Sequence, residues 1–330
     1  MEQSKKHTAI FVSCSFMLLL IGMILAVKLG SVSISFSNIW DSIFNYSQTL
    51  EVMLIRDVRI PRVLSVLFTG GILGMTGAMI QGVTRNPIAE PSILGVSQGA
   101  TLVVAVFYAV GIAVNTQNVM IASFIGAFIT GIIVLMFISN KANNNSIARI
   151  LLAGTAMSTF FISLTTIIGL LSNQSQMIGF WVSGGFRNVG WSDVKLVAFT
   201  GTIGFIIAVL LSGKINILNL GDDVAIGLGE NPEKIRFTTF MLIIPLCAAA
   251  VAVGKNIAFL GLIVPQIVRK ALGEDYRRNI PCSFLLGAVF LTYADIAARL
   301  LFDPYETPIG VFTALIGVPF FIAAARKERG

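Results

Sequence analysis

Residues 81–100, QGVTRNPIAEPSILGVSQGA, join two long hydrophobic runs through a charged turn that contains two prolines. Each proline would remove a backbone hydrogen bond from a helix, and each disfavours helical geometry in the residue before it. The residues before Pro87 and Pro91 are Asn86 and Glu90. The sequence therefore predicts two apolar helices separated by a polar break that runs from Asn86 to Glu90.

The composition places both helices in a membrane. The chain has 330 residues, of which 55% are hydrophobic and only 12% are charged, and its mean hydropathy is +0.86. These values exclude a soluble domain with a solvated surface. A net charge of +7 would suggest a nucleic-acid partner for a soluble protein. In so apolar a chain the positive charges instead report topology, and the predicted surroundings are the lipid bilayer, without nucleic acid.

About ten stretches have the length and apolarity of a transmembrane helix, which needs roughly 20 residues to cross the bilayer. The eighth is short and follows the seventh closely, so it could be a half-span. The predicted spans are 7–29, 61–83, 92–113, 119–138, 147–171, 194–211, 236–253, 257–269, 281–301 and 308–325. The predicted fold is an all-α integral membrane protein whose single transmembrane domain covers residues 1–330.

The distribution of Lys and Arg predicts the orientation of these spans. More of these residues, Arg85 among them, lie in alternate connections on one side. The positive-inside rule makes that side cytoplasmic and places both termini there. Spans two to five and seven to ten then have opposite orientations, which is compatible with an inverted repeat of the kind found in transporters.

Motifs for catalysis and metal binding are missing from the sequence. No complete phosphate-binding loop, nucleophile elbow or zinc-protease motif is present. The only histidine is His7, and Cys14, Cys247 and Cys282 have no paired spacing, so we interpret the cysteines as core residues. The sequence predicts that this chain is not an enzyme and that it has neither a metal site nor a cofactor of its own.

The connection 212–235, SGKINILNLGDDVAIGLGENPEKI, is the longest on the predicted cytoplasmic side. Asp222 or Asp223 can cap a short helix that ends at Ile226, and Asn231 followed by Pro232 can start another. One interpretation is a solvated amphipathic loop. The other is a docking element that receives force from a cytoplasmic partner, and the local sequence leaves both open.

Positive charge also clusters on the predicted outer face, against the usual bias. Arg59 and Arg62 precede the second span, and Arg299 lies four residues after Asp295 near the end of the ninth. Asp295 and Arg299 can neutralise each other as an i, i+4 pair, or they can belong to a binding site. The Arg59 and Arg62 pair favours a basic rim that docks an acidic soluble protein.

The order of these motifs resembles the permease subunits of the iron-siderophore and vitamin B12 class of ATP-binding-cassette importers, the FecCD-type permeases. The likeness runs from about residue 59 to residue 325. It rests on the break segment quoted above and on RIPR (59–62), ILLAG (150–154), WVSGGF (181–186), LNLGDDVAIGLG (218–229), FLGLIVPQIVR (259–269), ADIAAR (294–299) and PIGVFTALIGVPFF (308–321). One departure is Gln266, where the family often has histidine.

The resemblance implies a ten-helix fold like that of the vitamin B12 importer permease, and an assembly with four kinds of partner. These are a homologous or identical second permease, two cytoplasmic ATPase subunits that bind ATP and Mg, an extracellular or periplasmic solute-binding protein, and an iron-chelate substrate. It implies that an ATPase cleft receives the coupling residues Asp222, Asp223, Val224, Ala225, Ile226, Gly227, Leu228 and Gly229. It further implies that Arg59, Arg62 and Arg299 pair with acidic residues of the binding protein.

The resemblance also implies an inner gate and a cargo. The gate would consist of Asn86 and Ile88 together with Ser146, Ile147 and Ala148, although the last three depart from the sequence of the B12 permease. The sequence GDDVAIGLG (221–229), which contains the coupling residues, favours ferric siderophores as cargo, with haem or cobalamin as alternatives. A rival of another class is a secondary transporter driven by an ion gradient, which would need titratable groups at mid-membrane. The expected location is the cytoplasmic membrane.

Overall fold

The fold of the chain is helical throughout the part that a computed structural model describes, which comprises residues 2–30, 40, 42, 49–112, 115–139, 147–302 and 305–327. A π-helical segment, Ile55–Arg59, joins the second and third helices, and a 3₁₀ turn, Pro91–Leu94, precedes the fourth. The helices are α1 (Glu2–Lys28), α2 (Leu50–Leu54), α3 (Ile60–Thr84), α4 (Val96–Ala109), α5 (Thr116–Ser139), α6 (Ile147–Leu171), α7 (Ser175–Val182), α8 (Trp191–Asn219), α9 (Asp222–Gly227), α10 (Pro232–Gly254), α11 (Leu260–Leu272), α12 (Tyr276–Leu300) and α13 (Ile309–Lys327).

The ten predicted spans coincide with ten of these helices, namely α1, α3, α4, α5, α6, α8, α10, α11, α12 and α13. Among the described residues, 7 helical segments are long and apolar enough to cross a membrane by length and composition. The predicted eighth span corresponds to α11, which has only 13 residues and is short as expected. The prediction of an all-α integral membrane protein is confirmed.

Helix α3 occupies the centre of the bundle. It packs against α8, α10, α11 and α12, and nearly all of its residues are buried. A side chain on Gly70 or Gly74 would overlap the backbone of α12, and one on Gly77 would overlap the backbone of α11. These glycines therefore let the helix backbones touch, as small residues commonly do where helices meet in a membrane.

Helix α1 lies at the edge of this bundle, where it packs mainly against α12. Most of its apolar side chains are exposed in the isolated chain, as expected for a helix that faces lipid. Cys247 and Cys282 are buried as predicted. Cys14 is exposed on α1, so its predicted core position is wrong.

Two predicted boundaries differ from the structure because local backbone geometry overrides the apolar pattern. The third span starts at Val96 rather than at residue 92, since the 3₁₀ turn and the left-handed Gly95 (φ 71°) come first. Helix α8 continues to Asn219, so the first residues of the predicted connection 212–235 are helical. Gly221, rather than an aspartate, is the N-cap of α9, whereas Asn231 caps α10 as predicted by accepting a hydrogen bond from Lys234 N (3.0 Å).

Candidate functional site

The polar break after α3 forms a compact turn. Helix α3 ends at Arg85, whose backbone is left-handed (φ 51°). The Asn86 side chain accepts a hydrogen bond from Ile88 N (3.0 Å), and Ala89 N donates to Asn86 O (3.1 Å). Asparagine commonly closes turns in this way. The predicted break between Asn86 and Glu90 is therefore confirmed, with Asn86 and Ile88 in one turn.

Two glutamine side chains hold this turn against α11. The Gln81 amide nitrogen lies 3.4 Å from Ala89 O and 3.3 Å from Gly261 O. The Gln266 amide nitrogen donates to Pro87 O, and its oxygen accepts from Arg269 Nη2 (2.7 Å). A neutral amide both donates and accepts here without a change in charge. Gln266, the departure from the family pattern, thus has a structural role beside the predicted gate.

The other half of the predicted gate is only partly described. Ser146 lies outside the described residues. Ile147 and Ala148 form the start of α6. Their role as gate residues stays a prediction.

Helix α9 is tied to the end of α3 by ion pairs of Asp222. The Asp222 carboxylate accepts from Arg85 Nη2 (2.6 Å), from Arg236 Nη1 (3.0 Å) and from Arg236 Nη2 (2.8 Å). Arg236 Nε also lies 3.4 Å from Val83 O in the last turn of α3. Because Arg85 immediately precedes Asn86, the short helix and the polar turn are physically connected.

The rest of α9 presents an apolar surface. Ala225 is fully buried, whereas Val224 is exposed and 61% of the surface of both Ile226 and Leu228 is accessible. Gly227 and Gly229 are exposed too, and a Cβ atom at either position would meet no atom within 4 Å. Large apolar side chains on a short exposed helix are typical of a protein interaction site.

At the opposite end of α3, two of the three predicted docking arginines cap the last turn of α1. Arg59 Nη1 donates to Val27 O (2.6 Å) and Lys28 O (3.0 Å). Arg299 Nη1 and Nη2 both donate to Ala26 O (3.1 Å each). The carbonyl groups at a helix C-terminus lack intrahelical partners and attract positive charge. The two arginines therefore attach α1 to the bundle.

The third arginine, Arg62, belongs to a buried network of charges. Arg62 Nη2 lies 2.9 Å from Asp295 Oδ1, and its Nη1 lies 2.7 Å from Glu306 Oε1. Arg299 Nε lies 3.2 Å from Asp295 Oδ2, so the predicted i, i+4 pair is present. Arg187 Nε lies 3.3 Å from Glu306 Oε2. Burial alone would raise the pKa of Glu306, but its hydrogen bonds to Arg62 and Arg187 and their charges lower that pKa below its ordinary value.

These contacts leave little surface of the predicted docking residues accessible in the isolated chain. Arg59 is 6% exposed, and Arg62 and Arg299 are each 9% exposed. Arg56 and Asp57, in the π-helical segment, are exposed at the same end. The docking role stays a prediction. Glu306 was not predicted from the sequence, because it lies 244 residues from Arg62 and belongs to none of the motifs described above.

Hydroxyl groups line a cavity of about 490 Å³ that lies between α4, α6 and α7. Thr165 and Thr166 line it together with Ser97 and Thr101 of α4. The Thr165 hydroxyl is buried and has no hydrogen-bond partner among the described residues. The cavity wall is therefore mainly apolar with scattered hydroxyls.

The known proteins that this chain is similar to are membrane permeases. The model of the FecCD transport family matches residues 18–327. The chain is 40% identical to the iron(3+)-hydroxamate import system permease protein FhuB of Bacillus subtilis over 94% of this chain and 82% of that protein. It is 37% identical to the Fe(3+)-citrate import system permease protein YfmD of the same organism, over 96% of this chain and 94% of the relative.

Two further similarities widen this comparison. The hemin transport system permease protein HmuU of Yersinia pestis is 32% identical over 94% of this chain and 95% of its own. Among solved structures, an inward-facing protein described as a metal-chelate type ABC transporter superposes with a TM-score of 0.83 and 28% identity. That superposition covers 96% of this chain and 98% of the other.

Proposed function

This chain belongs to the FecCD transport family as a permease subunit of an ATP-binding-cassette importer, and we propose that it carries ferric siderophores across the cytoplasmic membrane. Relatives named for iron(3+)-hydroxamate and Fe(3+)-citrate import support an iron chelate as the cargo. The similarity to a hemin permease keeps haem as the second candidate. Cobalamin is supported only by the resemblance of the sequence motifs.

The observation that carries the proposed mechanism is the apolar surface of α9 together with the ion pairs of Asp222. We infer that the end of the bundle with α9 faces the cytoplasm, where Ile226 and Leu228 would insert into a cleft of an ATPase subunit that binds ATP and Mg. Burying two such side chains stabilises a complex by roughly 1.5–3 kcal/mol each. The neighbouring residues from Asp222 to Gly229 would complete the coupling surface.

The ion pairs of Asp222 offer a route from this surface to the gate. A movement of α9 would act through Asp222 on Arg85, and thus on the turn that holds Asn86 and Ile88. Nucleotide binding to the partner can change the permease only as far as it favours one conformation over the other. We infer that this connection converts closure of the ATPase subunits into opening or closing of the inner gate.

Exposed apolar faces of α6 and α13 support a second permease as a partner. Leu152, Phe160 and Ile167 on α6 are exposed, and so are Leu315 and Ile316 on α13. Lipid could cover such faces, but the hydroxyls that line the cavity beside α6 favour a solvated path. We infer that two permeases, homologous or identical, meet along α6 and α13 and enclose the translocation path between them.

The binding protein would dock at the other end, outside the cell or in the periplasm. Arg59, Arg62 and Arg299 give that end its positive charge, although their guanidinium groups are already bonded within the chain. Their contribution would therefore be electrostatic steering over a distance and support of the rim. Electrostatic steering of this kind weakens as ionic strength rises.

An ion-gradient-driven transporter remains the rival from another class. Such a protein needs a titratable group that exchanges ions within the membrane. Asp295 is a buried acidic residue, but Arg62 and Arg299 both pair with it. Both carboxylate oxygens of Asp295 are thus already bonded within the chain.

Uptake into proteoliposomes tests the proposed function directly. The chain, assembled with its partner permease, ATPase subunits and binding protein, is expected to accumulate a ⁵⁵Fe-labelled siderophore only when ATP is present. Uptake should persist after an ionophore collapses the ion gradients. Transport that stops with the ionophore and ignores ATP would favour the rival, and accumulation of hemin but not of siderophores would favour the second cargo.

Replacing Asp222 by Asn is expected to lower ATP-driven uptake roughly two- to fivefold, since partly exposed ion pairs contribute about 0.5–1 kcal/mol. The Asp222 side chain is 39% exposed, which limits the effect. The measurement is uptake per ATP hydrolysed in proteoliposomes. The substitution should reduce this ratio rather than ATP hydrolysis itself.

A matched control uses the other ion pair of the same connection. Glu230 lies 3.5 Å from Lys214 Nζ, which belongs to α8 rather than to α3, so Glu230→Gln should leave the ratio unchanged. Adding Arg85→Gln to Asp222→Asn should cost little more than Asp222→Asn alone, because both substitutions break the same ion pair. Additive losses would show that Asp222 does not act through Arg85.

A further inference from the structure

A cavity of about 660 Å³ opens at the end of the bundle opposite to α9. Its walls come from α4, α5, α7 and the connections that follow α7, α10 and α12. Trp181 and Phe180 supply aromatic surface, and Arg62, Arg187, Lys255 and Glu306 supply charge. The cavity is thus large enough for a small chelate and combines apolar walls with positive charge, as ligand sites commonly do.

The positively charged residues of this cavity differ in whether they form ion pairs. Arg62 and Arg187 are both bonded to Glu306, at 2.7 Å and 3.3 Å. Arg187 also lies over the ring of Phe180, 5.8 Å from its centroid. The Lys255 ammonium group makes no ion pair or hydrogen bond that is found among the described residues, although most of its side chain is buried. A partly buried ammonium group without a direct ion-pair partner favours an anionic ligand.

The backbone of Lys255 supports a specific role for this side chain. Lys255 follows the last residue of α10 with φ 61° and ψ −138°, a conformation that residues with side chains rarely adopt. Strained positions of this kind concentrate at ligand sites. The conformation directs the chain between α10 and α11 along the cavity wall, where Lys255 is one of the lining residues.

We propose that this cavity receives the iron chelate before it crosses the membrane and that Lys255 favours chelates with a net negative charge. The inference rests on the proposed import of ferric siderophores and narrows their class. Fe³⁺ held by doubly deprotonated catechols or by citrate is anionic, whereas Fe³⁺ held by singly deprotonated hydroxamates is neutral. The aromatic walls would contact the apolar parts of either kind.

The charge of Lys255 sets the pH range of this preference. Burial, together with the charges of Arg187 and Arg62, lowers the pKa of Lys255 to about 8, although Asp193 and Glu306 oppose the change. Lys255 is therefore still mainly charged at neutral pH and loses its charge as the pH rises above 8. The preference for anionic chelates should fade over the same range.

The test compares two ⁵⁵Fe-labelled probes, a ferric tris-catecholate and a neutral ferric trihydroxamate, on the full importer complex. Lys255→Met removes the charge and keeps much of the length, and Lys255→Arg keeps the charge. Lys255→Met is expected to reduce the ratio of catecholate to hydroxamate binding at least roughly tenfold, since a hydrogen bond to a charged group contributes about that much. Lys255→Arg should retain most of the ratio.

Lys195→Met is the matched control, since Lys195 is an exposed lysine near the start of α8 and is not among the residues that line the cavity. An equal change for both probes, or no change, in Lys255→Met would overturn the inference, as would a pH-independent ratio in the unmodified complex. Binding is measured without ATP, so it decides the inference by itself. Absence of ATP-driven uptake of either probe would instead contradict the proposed function.

Discussion

Replacing Gly227 by Trp is expected to reduce ATP-driven uptake by at least roughly tenfold while the permease stays folded, since a bulky group at the centre of a protein interface commonly costs more than 1.4 kcal/mol. Gly227 lies at the end of α9, and a Cβ atom there would meet nothing within 4 Å in this chain. The indole would therefore clash only with a partner. The measurements are uptake in proteoliposomes and ATPase activity, with thermal unfolding as the check on folding.

Gly227→Ala is the matched control for this experiment. Alanine adds one methyl group and is a better helix former than glycine. We expect the alanine variant to keep most of the uptake and at least the same thermal stability. Normal uptake in Gly227→Trp would remove α9 from the coupling mechanism, and loss of folding in that variant would show that the site is packed within the chain.

Replacing Arg62 by Met is expected to destabilise the permease by about 3 kcal/mol, the lower end of the range for breaking a buried ion pair. The lower end applies because Asp295 keeps Arg299 at 3.2 Å when Arg62 is lost. Glu306 keeps Arg187 in the same way. The measurement is thermal unfolding in detergent, which is monitored as the loss of monodisperse protein on heating.

Two further variants separate this structural role from docking. Arg56→Met removes an exposed arginine from the same end of the chain and should change stability by less than about 1 kcal/mol. Arg62→Met combined with Asp295→Asn removes the Arg62–Asp295 ion pair but keeps a side-chain oxygen for Arg299, so it should recover part of the lost stability. If the double variant is stable but captures the binding protein poorly, Arg62 contributes to docking as well. Equal stability of Arg62→Met and the unmodified chain would contradict the buried network.

Local sequence signals predicted the elements of this fold. Pro87 and Pro91 act on their own neighbours, so the break after α3 could be located from the sequence. Apolar runs located ten helices, because a helix that crosses a bilayer needs a stretch of apolar residues of a certain length.

Contacts between distant parts of the chain could not be predicted in this way. Arg62 meets Asp295 across 233 residues, and Arg85 meets Asp222 across 137. The sequence identified Arg62, Arg299 and Asp222 as unusual, but it did not indicate that other parts of the chain satisfy them. Burial depends on contacts between distant parts of the chain. From the sequence alone, an arginine that precedes a span is therefore expected to be exposed.

The glycine contacts between α3 and α12 constrain how this protein can move. Gly70, Gly74 and Gly287 leave no layer of side chains between the two backbones. Side chains that change rotamer can accommodate sliding between helices, but two backbones in direct contact cannot slide without separating. We therefore expect α3 and α12 to move together, and we expect conformational changes of the permease at interfaces where longer side chains meet.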